Sequence, residues 1–170
     1  QRTTTAEIAR RAGVTWGAVQ HHFGGKDGML TAVLEDSFNR FVERVASVPR
    51  KGPLDQRVSL FVERAWEHHA SAHYRSTHEI LLHFRAREDV EETPAWSAIM
   101  AKAWNDIWCE IFHDAPVSRP RHVEIARYAL ATLSGLASLL LLSGDPADSF
   151  ARDLDILKRL LIRELRGEAG

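Results

Sequence analysis

The residues most suited to chemistry lie near the N-terminus, within one short segment. Thr15, Trp16, Gly17, Gln20 and His21 are spaced so that one short helix would expose them together. A glutamine amide can form two hydrogen bonds with adenine, an apolar side chain can contact the thymine methyl group, and a glycine lets a duplex approach the backbone. These residues predict contact with base edges in double-stranded DNA. The alternative is that Trp16 and His21 are ordinary surface residues.

Two short helices joined by a tight turn would position these side chains. Thr4 and Glu7 fit a capping box at the start of the first helix, and Gly13 ends that helix. Thr15 can cap the second helix, which ends at Gly24. The pattern is that of a helix-turn-helix, whose second helix lies in the major groove of DNA. The side chains expected to face inward are Ile8, Ala9, Ala12, Val14, Ala18, Val19 and Phe23.

One longer motif runs through the same segment. It comprises Thr4, Ile8, Ala9, Ala12, Gly13, Val14, Thr15, Gly17, Val19, His22, Phe23, Lys26, Met29 and Leu30. It resembles the DNA-binding domain of TetR-family transcriptional regulators. Gln20 departs from the family pattern, which usually has tyrosine there. The family also has a helix ahead of the motif, which would lie before Gln1, so we expect a truncated or processed N-terminus. The resemblance implies phosphate contacts from Thr4, Thr5, His22 and Lys26.

Charge is distributed unevenly along the chain. The whole chain has a formal net charge of −1, which gives no overall field for nucleic acid. Residues 1–26 contain four basic residues and one acidic residue, a charge of +3, which leaves −4 for the remainder. This distribution favours a protein that binds the phosphate groups of nucleic acid through its N-terminal end only.

The cysteine content and the apolar runs indicate a cytoplasmic protein. Cys109 is the only cysteine, so no internal disulfide can form, and its apolar surroundings favour an inert core thiol. There is no signal peptide in the sequence. The longest uncharged run, residues 128–144, is short for a membrane span, so we expect no membrane partner.

The rest of the chain reads as helices, which predicts an all-α fold of two domains. The first domain, residues 1–45, contains the helix-turn-helix and is expected to lack its first helix. The second, residues 46–170, is expected to bind a ligand and to dimerise. The helices are predicted at residues 26–48, 53–71, 73–87, 93–112, 120–142 and 146–166. The first of these would connect the two domains.

The middle of the chain suggests an aromatic ligand site. Trp96, Met100, Trp104 and Trp108 recur every four residues, and large rings can wall a cavity as well as fill a core. Both interpretations fit the sequence equally. A cavity would suit an apolar or aromatic small molecule. The residues predicted to line it are Trp66, Tyr74, His78, Phe84, Met100, Trp104 and Trp108.

The central histidines allow an alternative function, that of a helical-bundle metal protein or enzyme. They are His68, His69, His73, His78 and His83. His78 and His83 are five residues apart, whereas the zinc-protease motif needs four. No paired carboxylates, activated nucleophile or phosphate-binding glycine loop is present. We expect no catalytic residues, no metal and no cofactor.

The last two helices, at about residues 120–142 and 146–166, are strongly apolar, and the family resemblance implies a homodimer through them. Ala126, Ser134, Ala137 and Ser138 would permit close approach of a partner helix. The ordinary alternative is a core within one chain. Taken together, the sequence predicts a homodimeric, ligand-responsive transcriptional regulator. By family resemblance it is a repressor that a small apolar or aromatic effector releases from a palindromic operator.

Overall fold

The computed structural model describes residues 5–85, 95–144 and 146–168, without the side chains of residues 5, 83–85 and 95–97. Within these ranges the chain is all α-helical and contains no strand, as the sequence predicts. The helices are α1 (Thr5–Arg11), α2 (Trp16–Phe23), α3 (Lys26–Val45), α4 (Leu54–His69), α5 (Ala72–Arg85), α6 (Ala95–Ile111), α7 (Arg119–Ser143) and α8 (Ala151–Leu165). A short 3-10 helix, Ala147–Phe150, precedes α8.

The turn between α1 and α2 forms as the sequence predicts. Gly13 has a φ of 69°, a left-handed conformation that favours glycine. The backbone N–H of Ala18 donates a hydrogen bond of 3.2 Å to Oγ1 of Thr15, which caps α2. Gly24, with a φ of 71°, ends α2. The predicted capping box includes Thr4, which lies outside the described residues.

A glycine that the sequence analysis does not single out allows α3 to approach α2. A Cβ atom on Gly28 would lie 1.8 Å from the carbonyl oxygen of Phe23, far inside van der Waals contact. Any side chain at residue 28 would therefore push α3 away from the end of α2. The signal in the sequence is that Gly28, a poor helix former, lies inside a predicted helix. A glycine in such a position often has a packing reason.

Several predictions of inward-facing side chains in α1 and α2 were wrong. Ala9 and Val19 are buried as expected, and Leu34 of α3 is buried as well. The period of a helix identifies an apolar face, but it does not say how much of that face another element covers. Here α1 packs on α2 and α2 packs on α3, which buries one side of each short helix. The residues predicted to face inward but found exposed are Ile8, Ala12, Val14, Ala18 and Phe23.

Helix α3 continues from this unit into the main hydrophobic core. The ring of Phe41 stacks on Trp104 of α6, with 4.9 Å between ring centroids. Helix α4 is central, since it packs against α3, α5, α7 and α8. The largest fully buried side chains of the core include Phe61, Trp108, Ile111, Phe112, Leu133, Leu157, Leu161 and Leu165.

A buried arginine ties α4 to the end of α6. Nη1 of Arg57 donates to the carbonyl of Ile111 at 2.7 Å, and Nη2 donates to both carboxylate oxygens of Asp114 at 2.7 and 2.8 Å. This hydrogen bonding is the main reason that the pKa of Asp114 is lowered. Charge-assisted hydrogen bonds are stronger than neutral ones, so Arg57 holds the turn after α6 against α4.

Predicted helix ends differ from the observed ones by a few residues. Helix α3 ends at Val45 and not at Val48, and Pro53 precedes α4 as its N-cap. The predicted last helix, residues 146–166, begins instead with the separate 3-10 turn. Helix ends depend on local capping and on packing together. The domain boundary near residue 45 remains a prediction.

Two histidines at the end of α4 are buried beside Phe41. His68 and His69 are each 4% exposed, and Nδ1 of His69 lies 2.7 Å from the carbonyl oxygen of Ala65. A carbonyl only accepts, so this nitrogen carries a proton. Burial lowers the pKa of His68 to about 3 and that of His69 to about 4, because a charged imidazole would lose its hydration.

These two imidazoles predict that acid destabilises the fold. In the unfolded chain an imidazole has a pKa of about 6.5, so below that pH the unfolded state binds more protons than the folded state. The stability that depends on keeping both imidazoles neutral is complete above about pH 6.5. It is lost as the pH falls toward the pKa values of the two imidazoles in the folded state. We expect the free energy of unfolding, measured by urea denaturation, to fall by on the order of 3 kcal/mol for each of the two imidazoles between about pH 7 and about pH 4.

Variants separate this effect from general acid sensitivity. His68→Gln and His69→Asn should each flatten the dependence of the unfolding free energy on pH. His113→Gln, which changes an exposed histidine, should leave the slope as it is in the parent protein. An unchanged slope in both His68→Gln and His69→Asn would contradict the assignment to these two imidazoles.

Candidate nucleic-acid interface

The outer face of α2 lies opposite its only buried side chain, that of Val19. His21 follows Val19 by two residues and Gly17 precedes it by two, so each is turned about 200° from it around the helix. Both residues are exposed and form the centre of the face, and Gln20, turned about 100° from Val19, is exposed at its side. Trp16, which the sequence analysis takes as exposed, is partly buried and lies at the edge.

The face has a shallow centre because Gly17 has no side chain. A Cβ atom there would have no near neighbour except Oγ1 of Thr15, at 3.9 Å. Packing within the described structure therefore does not require glycine at this position. What the glycine provides is open space beside His21, one helical turn away, where the edge of a duplex can approach the backbone.

The other residues predicted to contact DNA surround this face. Oγ1 of Thr15 accepts the capping hydrogen bond, and its hydroxyl hydrogen remains able to donate to DNA. The exposed ring of His22 meets Phe23 edge-on, with 4.6 Å between centroids. Lys26 is exposed at the start of α3. Thr4 and the side chain of Thr5 lie outside the described residues.

Part of the positive charge of this region is neutralised within α1. Glu7 accepts hydrogen bonds from Nε of both Arg10 and Arg11, each at 2.8 Å. These contacts, first from Arg10 and then from Arg11, lower the pKa of Glu7. Two of the four basic side chains of residues 1–26 therefore share one carboxylate, in exposed ion pairs that are weak and that contacts with DNA phosphate can replace.

Four of the residues predicted to line a ligand cavity belong to the main core, namely Trp66, Tyr74, Trp104 and Trp108. Trp108 is 1% exposed, and its ring contacts Phe61 and Phe112 with centroids 5.2 and 4.6 Å away. Trp104 donates its indole N–H to the carbonyl of Ala126 at 3.1 Å. These contacts account for both tryptophans as core residues, and their role in binding a ligand remains a prediction.

Tyr74 and His78 join α5 to α7. The hydroxyl of Tyr74 lies 3.2 Å from Oγ of Ser134, and Nε2 of His78 lies 3.3 Å from Oγ of Ser138. Burial raises the pKa of Tyr74, which therefore remains a neutral hydrogen-bonding group. Among the other predicted lining residues, Trp66 is buried against Phe150, with 5.6 Å between centroids. The side chain of Phe84 is outside the description.

A groove between α3 and α6 contains the remaining predicted residue, Met100. Its volume is about 300 Å³, and its other lining residues are Glu35, Phe38, Asn39 and Ile99. This volume lies at the lower end of the range for small-molecule sites. These four residues could not be predicted from the sequence, because neither helix by itself indicates which face of the other it meets.

The described residues do not support the alternative metal site. None of them form a group of three or more His, Cys, Asp and Glu side chains that could hold a metal ion. His68 and His69 lie in the core against aromatic rings. Their rings fill space among Phe41 and Tyr74, where the sequence shows only adjacent histidines.

Helix α7 has an exposed apolar side as well as a buried one. By length and composition it could cross a membrane, and 33% of its most apolar window is buried. Core helices of water-soluble proteins meet the same criterion, so the length and composition of α7 alone do not indicate a membrane span. The predicted small residues Ala126 and Ala137 are buried within the chain. The exposed large apolar residues of α7 and α8 are Val123, Tyr128, Leu139, Leu142 and Ile156.

Comparisons with known proteins agree with the geometry of α1, α2 and the start of α3. Residues 1–33 match the family described as bacterial regulatory proteins, tetR family. The HTH-type transcriptional regulator BetI of Paraburkholderia xenovorans is 27% identical over 172 residues, covering 88% of this chain and 76% of that protein. BetI of Cronobacter sakazakii is 32% identical over 124 residues, covering 73% of this chain and 50% of that protein. BetI of Escherichia coli O157:H7 is 28% identical over 172 residues, covering 85% of this chain and 75% of that protein.

No solved structure matches the chain. The family match covers the helix-turn-helix, and the relatives extend the similarity into the helices that follow. The local geometry agrees, since α2 is capped at Thr15, buried at Val19 and exposed on its opposite face. The chain belongs to the TetR family of bacterial regulatory proteins and is a helix-turn-helix transcriptional regulator.

Proposed function

We propose that this regulator is a cytoplasmic homodimeric repressor. It binds a near-palindromic operator, and a small apolar or aromatic effector releases it. The observation that carries this proposal is the exposed face of Gly17, Gln20 and His21 on α2, which α3 links to the main core. A reading surface attached to a ligand-sized groove through one continuous helix suits a switch.

The DNA-binding step uses two copies of α2. Gln20 reads a base edge through its amide, and Gly17 lets the duplex approach the backbone. Lys26 at the start of α3 contacts phosphate and fixes the register. In the dimer the two recognition helices enter major grooves about 34–36 Å apart.

The effector acts where α3 meets α6. A molecule in the groove beside Met100 would separate these helices close to the stacked rings of Phe41 and Trp104. The indole N–H of Trp108 has no acceptor among the described residues, which offers a hydrogen bond to a ligand if the core opens. Movement of α3 changes the spacing of the two α2 helices. An effector that prefers the released state by about 2–3 kcal/mol lowers operator affinity about 30- to 150-fold.

Dimerisation covers the exposed apolar side of α7. Tyr128, Leu139 and Leu142 lie there with Gly135, and Ile156 of α8 is exposed as well. These side chains would form a four-helix interface with their copies, and the glycine allows close approach. The two-fold axis of such a dimer matches the symmetry of a palindromic operator.

Gln20→Ala and Lys26→Ala distinguish base reading from phosphate contact. Duplexes selected from a random pool serve as the specific probe and a scrambled duplex as the non-specific one. Gln20→Ala should weaken specific binding by about 1–3 kcal/mol for each subunit of the dimer and should leave non-specific binding unchanged. Lys26→Ala should weaken both kinds of binding. It should also reduce the slope of log affinity against log salt concentration by about 1 for each subunit.

Gln56→Ala, at an exposed position of α4, is the matched control and should bind as the parent does. Fluorescence anisotropy measures all of these affinities. Equal losses of specific and non-specific binding in Gln20→Ala would refute base reading by this residue. Failure to enrich any sequence from the random pool would refute operator recognition itself.

Leu139→Asp should convert the dimer to a monomer. Leu139 is 53% exposed in the single chain, and a carboxylate buried in an apolar interface loses several kcal/mol of hydration. We expect sedimentation equilibrium to show a dimer dissociation constant raised at least about 100-fold. Leu82→Asp, on α5 and 59% exposed, should remain dimeric. A Leu139→Asp protein that stays dimeric would place the interface elsewhere.

Compounds that stabilise the protein should also release DNA. In a thermal-shift screen of small aromatic and aliphatic compounds, those that raise Tm should lower affinity for the selected duplex by about 30- to 150-fold. Met100→Trp, which fills the groove, should abolish the shift in Tm. Lys102→Trp, where the parent side chain is 77% exposed, should retain it. If no compound stabilises the protein, or stabilising compounds leave DNA affinity unchanged, the regulator is constitutive.

A further inference from the structure

We propose that Gly28 fixes the separation of the two DNA half-sites that this regulator recognises. The inference rests on the proposed binding of a palindromic operator by a dimer, and it adds a residue that determines one part of the specificity. Gly28 lies near the start of α3 and acts as a positioning residue, through the contact between α2 and α3. Spacing is part of operator recognition, because a duplex whose half-sites lie at the wrong separation cannot engage both copies of α2.

The contact at Gly28 leaves no room for a side chain. A Cβ atom there would lie 1.8 Å from the carbonyl oxygen of Phe23 and 3.0 Å from its carbonyl carbon. Both are backbone atoms at the end of α2, so a change of side-chain rotamer cannot relieve the clash. A carbon atom and a carbonyl oxygen in contact are normally about 3.3 Å or more apart, so the two backbones would have to separate by about 1.5 Å.

Close approach is the use that the structure makes of this glycine. Gly24 and Gly25 have a positive φ, whereas Gly28 does not, so its backbone conformation is open to other residues. Glycine weakens a helix relative to alanine, which makes it a poor choice within α3 unless the missing side chain matters. What Gly28 provides is therefore the short distance between α3 and the last carbonyl group of α2.

The link between the two helices has little slack. Only Gly24 and Gly25 lie between α2 and α3. The N–H of Gly24 donates to the carbonyl of Gln20 at 2.9 Å. The carbonyl of Gly25 accepts from the N–H of Met29 at 3.1 Å. Each glycine of the link is therefore held by the helix beside it, and a displacement at Gly28 moves α2 together with α1, which packs on it.

Such a displacement has a defined effect in a dimer. Helix α3 has 20 residues, and Phe41 and Val45 near its far end belong to the main core, so α3 stays with the core while α2 moves. A two-fold axis repeats the movement in the second subunit. Two displacements of about 1.5 Å along the duplex add up to about 3 Å, close to the rise of one base pair, about 3.4 Å.

The test compares the parent protein and Gly28→Ala on duplexes of different half-site spacing. The probes are the duplex selected from the random pool, the same duplex with one base pair inserted or deleted between its half-sites, and the scrambled duplex. For the parent, either change of spacing should lower affinity, measured by fluorescence anisotropy, at least about tenfold. Gly28→Ala should bind the selected duplex about tenfold more weakly than the parent does and should prefer one of the two altered duplexes.

Controls separate spacing from general damage. Gly28→Ala should bind the scrambled duplex as the parent does, because that binding does not need both half-sites. Glu43→Ala, at an exposed position of the same helix, should keep the parental order of affinities. Circular dichroism and sedimentation equilibrium establish whether each variant is a folded dimer.

Three results would overturn the role of Gly28 and leave operator recognition intact. The first is a parent protein that binds the altered duplexes as tightly as the selected one. The second is a Gly28→Ala protein with the parental order of affinities, including an equal loss on every duplex. The third is a Gly28→Ala protein that is not a folded dimer, since the contact would then serve stability and not spacing. If the random pool yields no preferred duplex for the parent, both the spacing role and the proposed function fail.

Discussion

Helix α3 packs against α2 of the helix-turn-helix and against helices of the main core, and one stripe of its side chains is buried along its length. Leu34 and Phe41 are seven residues apart, two turns of the helix, so they lie on nearly the same face. Leu34 is buried but lies outside the main core, whereas Phe41 belongs to it and stacks on Trp104. The helix-turn-helix therefore cannot rotate relative to the bundle without disturbing the packing of α3 at one end. This constraint gives a small change in the bundle a route to the DNA-binding surface.

Features encoded by neighbouring residues could be predicted from the sequence, and features that depend on distant contacts could not. The left-handed turn at Gly13 and the cap at Thr15 depend on backbone a few residues away, and both formed as predicted. The exposure of Val14 depends on what packs against it, and that prediction was wrong. Gly28 and Arg57 were missed, because their partners, Phe23 and Asp114, become neighbours only when helices pack.

The candidate site shows the same division. The outward position of His21 follows from helical periodicity once Val19 is known to be buried. The half-burial of Trp16 does not, because it depends on how closely α2 lies against its neighbours. For the ligand site, a tryptophan every fourth residue is compatible with a cavity wall and with a core. Only contacts such as those of Trp108 with Phe61 and Phe112 separate the two.

The two sides of α7 differ in what their small residues do. Ala126, Ala129 and Ala137 are almost fully buried, so their size lets α7 lie close to the rest of its own chain. The exposed side has Gly135 between the large side chains of Tyr128 and Leu139, and nothing within the described chain uses that gap.

A bilayer is a poor candidate to cover this exposed side. Arg127 is exposed on α7, and the outer face of α8, which packs against α7, exposes Arg152, Arg159 and Arg163. Charged side chains are costly in hydrocarbon. With 15 residues, α8 is also shorter than the roughly 20 residues that a membrane helix needs. A second copy of the chain can instead pair apolar with apolar surface at the centre and leave the arginines at the rim in water.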